Sequence, residues 1–114
     1  MRRDQEAYVL DMLIAAREAV GFAEGRSFEA FVEDRRTQLS IVKLIEIVGE
    51  AASRVDEETR HAHPAIPWRD IVGMRNRLVH GYFDIDLRLV WDTVGADLPV
   101  LIDQLERLLP EDEG

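Results

Sequence analysis

The sequence LSIVKLIEIVGEAA, residues 39–52, is the stretch that decides the fold. Its apolar residues recur at three- and four-residue spacings and cover much of the circumference of a helix. A helix that is apolar on so many sides has to pack against several neighbours, so we expect it at the centre of the domain or against a second subunit. Its broad apolar surface also favours self-association.

Amphipathic helical patterns continue on the N-terminal side of this stretch. Residues 4–24 carry an apolar stripe, and Gly25 suits the C-terminal cap of that helix. Ser27 is the expected N-cap of the segment that leads into residues 39–52. The charged residues 33–36 fit two alternatives, a bend between two helices or one long helix with a solvated stretch.

The second half of the chain predicts three more helices: a short one that ends before Pro64, one from Trp68 to about Val79, and a last one N-capped by Asp84 or Asp86. We expect Gly81 to cap the middle helix and Pro99 to bend the last one. No segment alternates with the period of a strand. The sequence therefore predicts an all-α antiparallel bundle of four to six helices, one domain over residues 1–114 that ends in an acidic tail at residues 110–114.

The amino-acid composition excludes several classes of function. The 114 residues are 46% apolar and include no cysteine, which fits one domain and excludes disulfides, thiolate nucleophiles and cysteine-ligated zinc. No apolar run approaches the roughly 18 to 20 residues of a membrane span, and no signal peptide is visible, so we expect a cytoplasmic protein without a membrane partner. His61 and His63 match no specific metal-binding pattern, and we assign no metal and no cofactor.

The charge is acidic overall and locally basic. With 23 acidic and 14 basic residues the net charge is −9, which argues against a protein that coats nucleic acid. In residues 68–82, however, Arg69, Arg75 and Arg77 stand against the single acidic residue Asp70. This stretch is the candidate site for an anion.

Arg75 and His80 are the residues of this stretch that could carry chemistry. On a continuous helix their side chains would point about 140° apart, but a helix that ends near Gly81 lets both point into one cleft. Arginine can hold a scissile RNA phosphate, and an imidazole can take the proton of the 2′-hydroxyl or give one to the leaving 5′-oxygen. Asn76 could orient the histidine. The alternative is that both cations only stabilise a helix C-terminus.

The run PWRDIVGMRNRLVHGYFD, residues 67–84, resembles the signature of the HepT-like proteins, a branch of the HEPN superfamily. IVGEAA, residues 47–52, resembles the second-helix motif of that family, and the resemblance covers nearly the whole chain. It implies a homodimer in which the Arg-x4-His motifs of both subunits, here Arg75 and His80, lie near a shared cleft. It also implies a ribonuclease toxin with Asn76 as the usual polar residue after the arginine.

The resemblance implies a partner as well. Family members are neutralised by an MntA-type nucleotidyltransferase antitoxin that transfers AMP to a tyrosine, here Tyr82. Arg75 and Arg77 could bind the attached AMP. Glu50, a carboxylate on a mostly apolar helix, is expected either to form an ordinary salt bridge with Arg75 or Arg69 or to orient the active-site arginine.

The sequence thus favours a metal-independent endoribonuclease toxin. Two alternatives remain. The first is a non-catalytic nucleotide-binding or docking module that accepts AMP from the nucleotidyltransferase. The second is a dimeric interaction protein in which the motif only caps a helix.

Overall fold

The long central helix expected around residues 39–52 is α3, Arg35–Arg54, in the computed structural model of the chain, which describes residues 1–81 and 84–110. Its apolar stripe, represented by Ile41, Ile45 and Val48, is fully buried. The helix packs against α1, Arg3–Ala23, and against α5, Trp68–Leu78. Burial on two sides explains why this helix is apolar over so much of its surface.

The other elements are α2 (Phe28–Val32), α4 (Glu57–Ala62), β1 (Val79–Gly81), β2 (Asp84–Ile85), α6 (Leu87–Asp92) and α7 (Leu98–Leu108). Helix α7 packs along α1, which completes the bundle around α3. The prediction of an all-α helical bundle is confirmed. The two short strands form an antiparallel pair that the sequence did not predict. In the described residues no helix is long and apolar enough to cross a membrane.

Side-chain caps divide the N-terminal half into separate helices. Gly25 adopts a positive φ of 74° just beyond α1, and Ser27 accepts a hydrogen bond from the backbone of Ala30, both as predicted. Asp34 accepts hydrogen bonds from the hydroxyl (2.7 Å) and backbone amide (3.1 Å) of Thr37. Hydrogen bonding to Thr37 and to Arg26 lowers the pKa of Asp34 from 3.8 to about 2. Of the two alternatives for residues 33–36, the break between two helices is therefore correct.

A π-helical turn, Thr93–Asp97, joins α6 to α7. Pro99 lies in the first turn of α7 and has no backbone N–H to donate into the preceding turn. Wider π-helical pairing is one way for a helix to accommodate such an interruption. Asp86, rather than Asp84, is the N-cap of α6 and accepts from the backbone of Leu89 at 3.0 Å.

Helices α3 and α5 approach each other closely at Gly49. A Cβ atom at this position would stand 3.2 Å from the carbonyl oxygen of Ile71 and 3.4 Å from that of Val72. Both neighbours are backbone atoms of α5, which cannot rotate away as a side chain would. The absence of a side chain at Gly49 therefore sets how closely the two helices pack.

We predict that Gly49→Ala lowers the free energy of unfolding by about 1 kcal/mol, because overpacking costs about 1–3 kcal/mol and better helix propensity returns up to about 1 kcal/mol. Gly21→Ala is the matched control, since no atom lies within 4 Å of its added Cβ. That change should raise stability by about 0.5–1 kcal/mol. Urea denaturation at one protein concentration measures both. Equal stabilisation by the two substitutions would contradict the close approach.

Candidate active site

Arg75 lies in the last turn of α5, and its side chain is 45% exposed. Its Nε is 3.9 Å from Oε2 of Glu46 on α3, and its Nη1 donates a long hydrogen bond of 3.5 Å to Oδ1 of Asn76. Because the approach to the carboxylate is through Nε and the hydrogen bond from Nη1 to Asn76 is long, the outer nitrogens of the guanidinium can turn to another acceptor. The arginine is thus held by an ion pair at one edge and by a long hydrogen bond at the other.

Glu46 is a residue of this site that the sequence did not indicate. It lies one helical turn before Glu50, the residue expected to pair with Arg75 or Arg69 or to orient the active-site arginine. The ion pair that the structure records for Arg75 is with Glu46, whose side chain is only 34% exposed. Glu46 and Glu50 are four residues apart and lie on one stripe of α3. This spacing indicates that a carboxylate could face a neighbouring helix, but it does not indicate which of the two contacts α5.

An open cavity of about 320 Å³ lies in front of this ion pair. Its lining residues come from α3 and α5: Glu46, Gly49, Glu50, Ser53, Val72, Arg75 and Asn76. The structure therefore brings three of the predicted site residues together, Arg75, Asn76 and Glu50. Glu50 is exposed and shares the cavity with Arg75 without forming its recorded ion pair.

His80 lies on a different kind of element from Arg75. Helix α5 ends at Leu78, and His80 is exposed on β1, where Val79 pairs with Ile85 across the hairpin. The prediction that Gly81 caps the helix is wrong, since Val79 already has extended backbone angles and Gly81 lies on the strand. Among the described residues, those that line the Arg75 cavity do not include His80.

Arg77 faces away from Arg75. Side chains two positions apart on a helix point about 200° apart around its axis. Arg77 lines a second cavity, of about 420 Å³, between α5 and α7 together with Asp70 and Asp97. Within one chain the two arginines therefore line different cavities, and their joint binding of one AMP stays a prediction.

Two further predictions concern a modification at Tyr82 and the absence of a metal. Tyr82 lies outside the described residues, as do the last four residues of the acidic tail. Within residues 1–81 and 84–110, no group of three or more histidine, aspartate or glutamate side chains is arranged to hold a metal ion.

Comparison with known proteins points to one family. Residues 12–108 match the family model described as Ribonuclease HepT-like. The chain is similar to "Probable ribonuclease HepT" of Thermococcus cleftensis, with 36% identity over 108 residues that cover 95% of this chain and 98% of the relative. It is 37% identical to "Putative RNase TTE0752" of Caldanaerobacter subterraneus over 90 residues, 79% of this chain and 80% of the relative.

A third relative, "Putative RNase MJ1380" of Methanocaldococcus jannaschii, is 31% identical over 105 residues, which cover 92% of this chain and 96% of the relative. No solved structure gave a significant match. The family match spans both helices that form the Arg75 cavity and the hairpin that carries His80.

Proposed function

The chain belongs to the HepT-like ribonuclease family, and from this premise we propose that it is a metal-independent endoribonuclease that acts as the toxin of a toxin–antitoxin system. The observation that carries the proposal is the state of Arg75. It lies at the wall of an open cavity, with Nε facing Glu46 and a long hydrogen bond from Nη1 to Asn76 at its outer edge. A guanidinium in this state can bind two oxygens of a phosphate without first breaking a buried ion pair.

In the proposed reaction Arg75 binds the scissile phosphate and stabilises the charge that grows on it in the transition state. His80 takes the proton of the 2′-hydroxyl or gives one to the leaving oxygen. The 2′-oxygen then forms a bond to phosphorus while the bond from phosphorus to the 5′-oxygen breaks. The products are a 2′,3′-cyclic phosphate and a 5′-hydroxyl. DNA lacks the attacking hydroxyl and is not a substrate.

A second copy of the chain is part of the proposal. Ile14, Ile47 and Val72 are exposed apolar residues, and Glu50 lines both the cavity beside Ile14 and Ile47 and the cavity of Arg75. An exposed apolar face of this kind is typical of a protein interface. We propose that it pairs in a homodimer, so that the Arg-x4-His motifs of two protomers share one cleft. This arrangement would supply the histidine that does not line the cavity within one chain.

The proposed antitoxin is an MntA-type nucleotidyltransferase that modifies Tyr82. The tyrosine oxygen would bond to the α-phosphorus of a nucleoside triphosphate, its proton would be lost, and pyrophosphate would leave. The attached AMP brings bulk and a negative phosphate two residues from His80 in sequence. Both oppose the approach of an RNA phosphate to the same place. Supporting this, the local sequence concentrates basic residues beside Tyr82 in an otherwise acidic chain.

One observation favours the alternative of a non-catalytic docking module. His80 does not line the cavity of Arg75 in a single chain, and a scaffold that only binds nucleotide or accepts AMP needs no general base. The two functions differ in their dependence on His80, which makes this histidine the deciding position.

We predict that His80→Ala abolishes toxicity and slows RNA cleavage by about 10²- to 10⁴-fold, the usual contribution of a general acid or base. The matched control is His61→Ala, which removes an exposed histidine on α4. The measurement is growth after induced expression at equal protein levels, with total RNA probed for 2′,3′-cyclic phosphate ends. Activity lost with EDTA, or cleavage of DNA, would contradict the mechanism. Equal harmlessness of parent and variant with intact RNA would favour the docking module.

For the antitoxin, we predict that Tyr82→Phe remains toxic when the cognate nucleotidyltransferase is co-expressed, because the ring is kept while the oxygen that accepts AMP is lost. Tyr8→Phe is the control, since it removes the other tyrosine hydroxyl of the chain. Mass spectrometry of the parent should show one added AMP that is missing from the Tyr82 variant. Full neutralisation of Tyr82→Phe would exclude the modification as the means of control.

For the dimer, we predict that Ile14→Asp produces a monomer and removes ribonuclease activity, because a carboxylate on the pairing face would be buried without a partner. Val100→Asp places the same charge on α7 at a residue that is 60% exposed and should change neither property. Sedimentation equilibrium measures the mass and a fluorescent RNA assay the activity. A monomeric parent, or a dimeric and active Ile14→Asp variant, would refute this face as the interface.

A further inference from the structure

Lys43 is the single lysine of the chain and lies on α3 beside the proposed site. Its Nζ is 3.5 Å from Oε1 of Glu46, while the other oxygen of the same carboxylate faces Nε of Arg75 at 3.9 Å. Two cations from two different helices therefore share one carboxylate. We propose that Lys43 is a second phosphate-binding residue, which holds the RNA phosphate next to the one bound by Arg75. This inference rests on the proposed ribonuclease function.

The exposed fractions of the three side chains support a phosphate that reaches the two cations from the solvent side. Glu46 is 34% exposed, Arg75 45% and Lys43 66%, so the carboxylate lies deepest and both cations extend further toward solvent. Two cations against the carboxylates of Glu46 and Glu50 leave no net charge here, in a protein whose total is −9. Because Glu46 is less exposed than either cation, an approaching RNA strand meets Lys43 and Arg75 before it meets the Glu46 carboxylate.

The geometry also suits two successive phosphates. Nζ of Lys43 and Nε of Arg75 lie 3.5 Å and 3.9 Å from the two oxygens of the same Glu46 carboxylate, so the two cations are close to each other. A groove that binds single-stranded RNA needs cations that follow the backbone in this way. Arginine, with its planar fork, suits the phosphate at which charge develops, whereas lysine acts as a point charge and suits a phosphate that only has to be held.

Binding at Lys43 requires little rearrangement. Its pair with Glu46 joins residues i and i+3 on the surface of one helix, and such exposed pairs contribute little to stability. The flexible side chain can turn from the carboxylate to a phosphate, and Glu46 keeps its contact with Arg75 when it does so. A contact to phosphate carries no base identity, so Lys43 should raise affinity for all sequences alike.

The single lysine makes a direct test possible on the intact protein. Lys43 is acetylated with and without a saturating 2′-O-methyl RNA oligonucleotide, which binds but lacks the attacking hydroxyl, and the rate is followed by mass spectrometry. We expect RNA to slow acetylation of Lys43 at least severalfold while the α-amino group of Met1 reacts at an unchanged rate. Unchanged acetylation of Lys43 while the RNA is bound would overturn the proposal.

Kinetics of variants provide the second test. Lys43→Met should raise KM for RNA by about threefold to tenfold with kcat unchanged, and should reduce the slope of log affinity against log salt by about 0.7, the value for one phosphate contact to a single strand. Lys43→Arg should restore both. Arg107→Met is the matched control, because Arg107 also forms an exposed ion pair within a helix, with Asp103.

The outcomes separate this inference from the function on which it rests. If the parent cleaves RNA while Lys43→Met and Arg107→Met behave alike, Lys43 binds no phosphate and only this inference fails. A fall in kcat equal to the loss in kcat/KM would also refute it, since that pattern places Lys43 in the chemical step. If the parent neither binds nor cleaves RNA, the proposed function fails and this inference fails with it.

Discussion

The contact between α3 and α5 at Gly49 is the constraint on which the site depends. Glu46 precedes Gly49 by three residues on α3, and Arg75 follows Val72 by three residues on α5, so both lie about one helical turn from this close approach. A larger distance between the helices at Gly49 would separate the carboxylate from the guanidinium. The same contact that packs the core therefore sets the direction of the arginine.

Much of this arrangement follows from local sequence, and the remainder depends on how elements cross. The apolar period of α3 and the caps at Gly25 and Ser27 are properties of neighbouring residues, and the structure agrees with them. Glu46 and Glu50 are equivalent by any local criterion. Only the crossing of α3 over α5 decides that Glu46 meets Arg75, and no periodicity within one helix encodes that crossing.

The hairpin escaped prediction for a different physical reason. Strands of three and two residues are too short to show alternation with period two, and the pattern of α5 runs into them without a break. What ends the helix is a set of non-local hydrogen bonds. The backbone of Asp86 donates to the carbonyl of Leu78 at 2.8 Å, and Val79 pairs with Ile85. Glycine at position 81 suggested a helix cap only because its partner strand was not apparent.

The placement of arginine on a helix and histidine on a hairpin divides the site into a rigid part and a part held by few contacts. Arg75 is anchored by the packing of α5 against α3, whereas the position of His80 depends on a two-stranded ladder. A modification at Tyr82, two residues further along the chain, would therefore act first on the histidine side. In the proposed mechanism it would block the chemistry while the core and Arg75 stay in place. The proposed silencing would benefit from this division, because a chain modified there would keep the stability of the bundle.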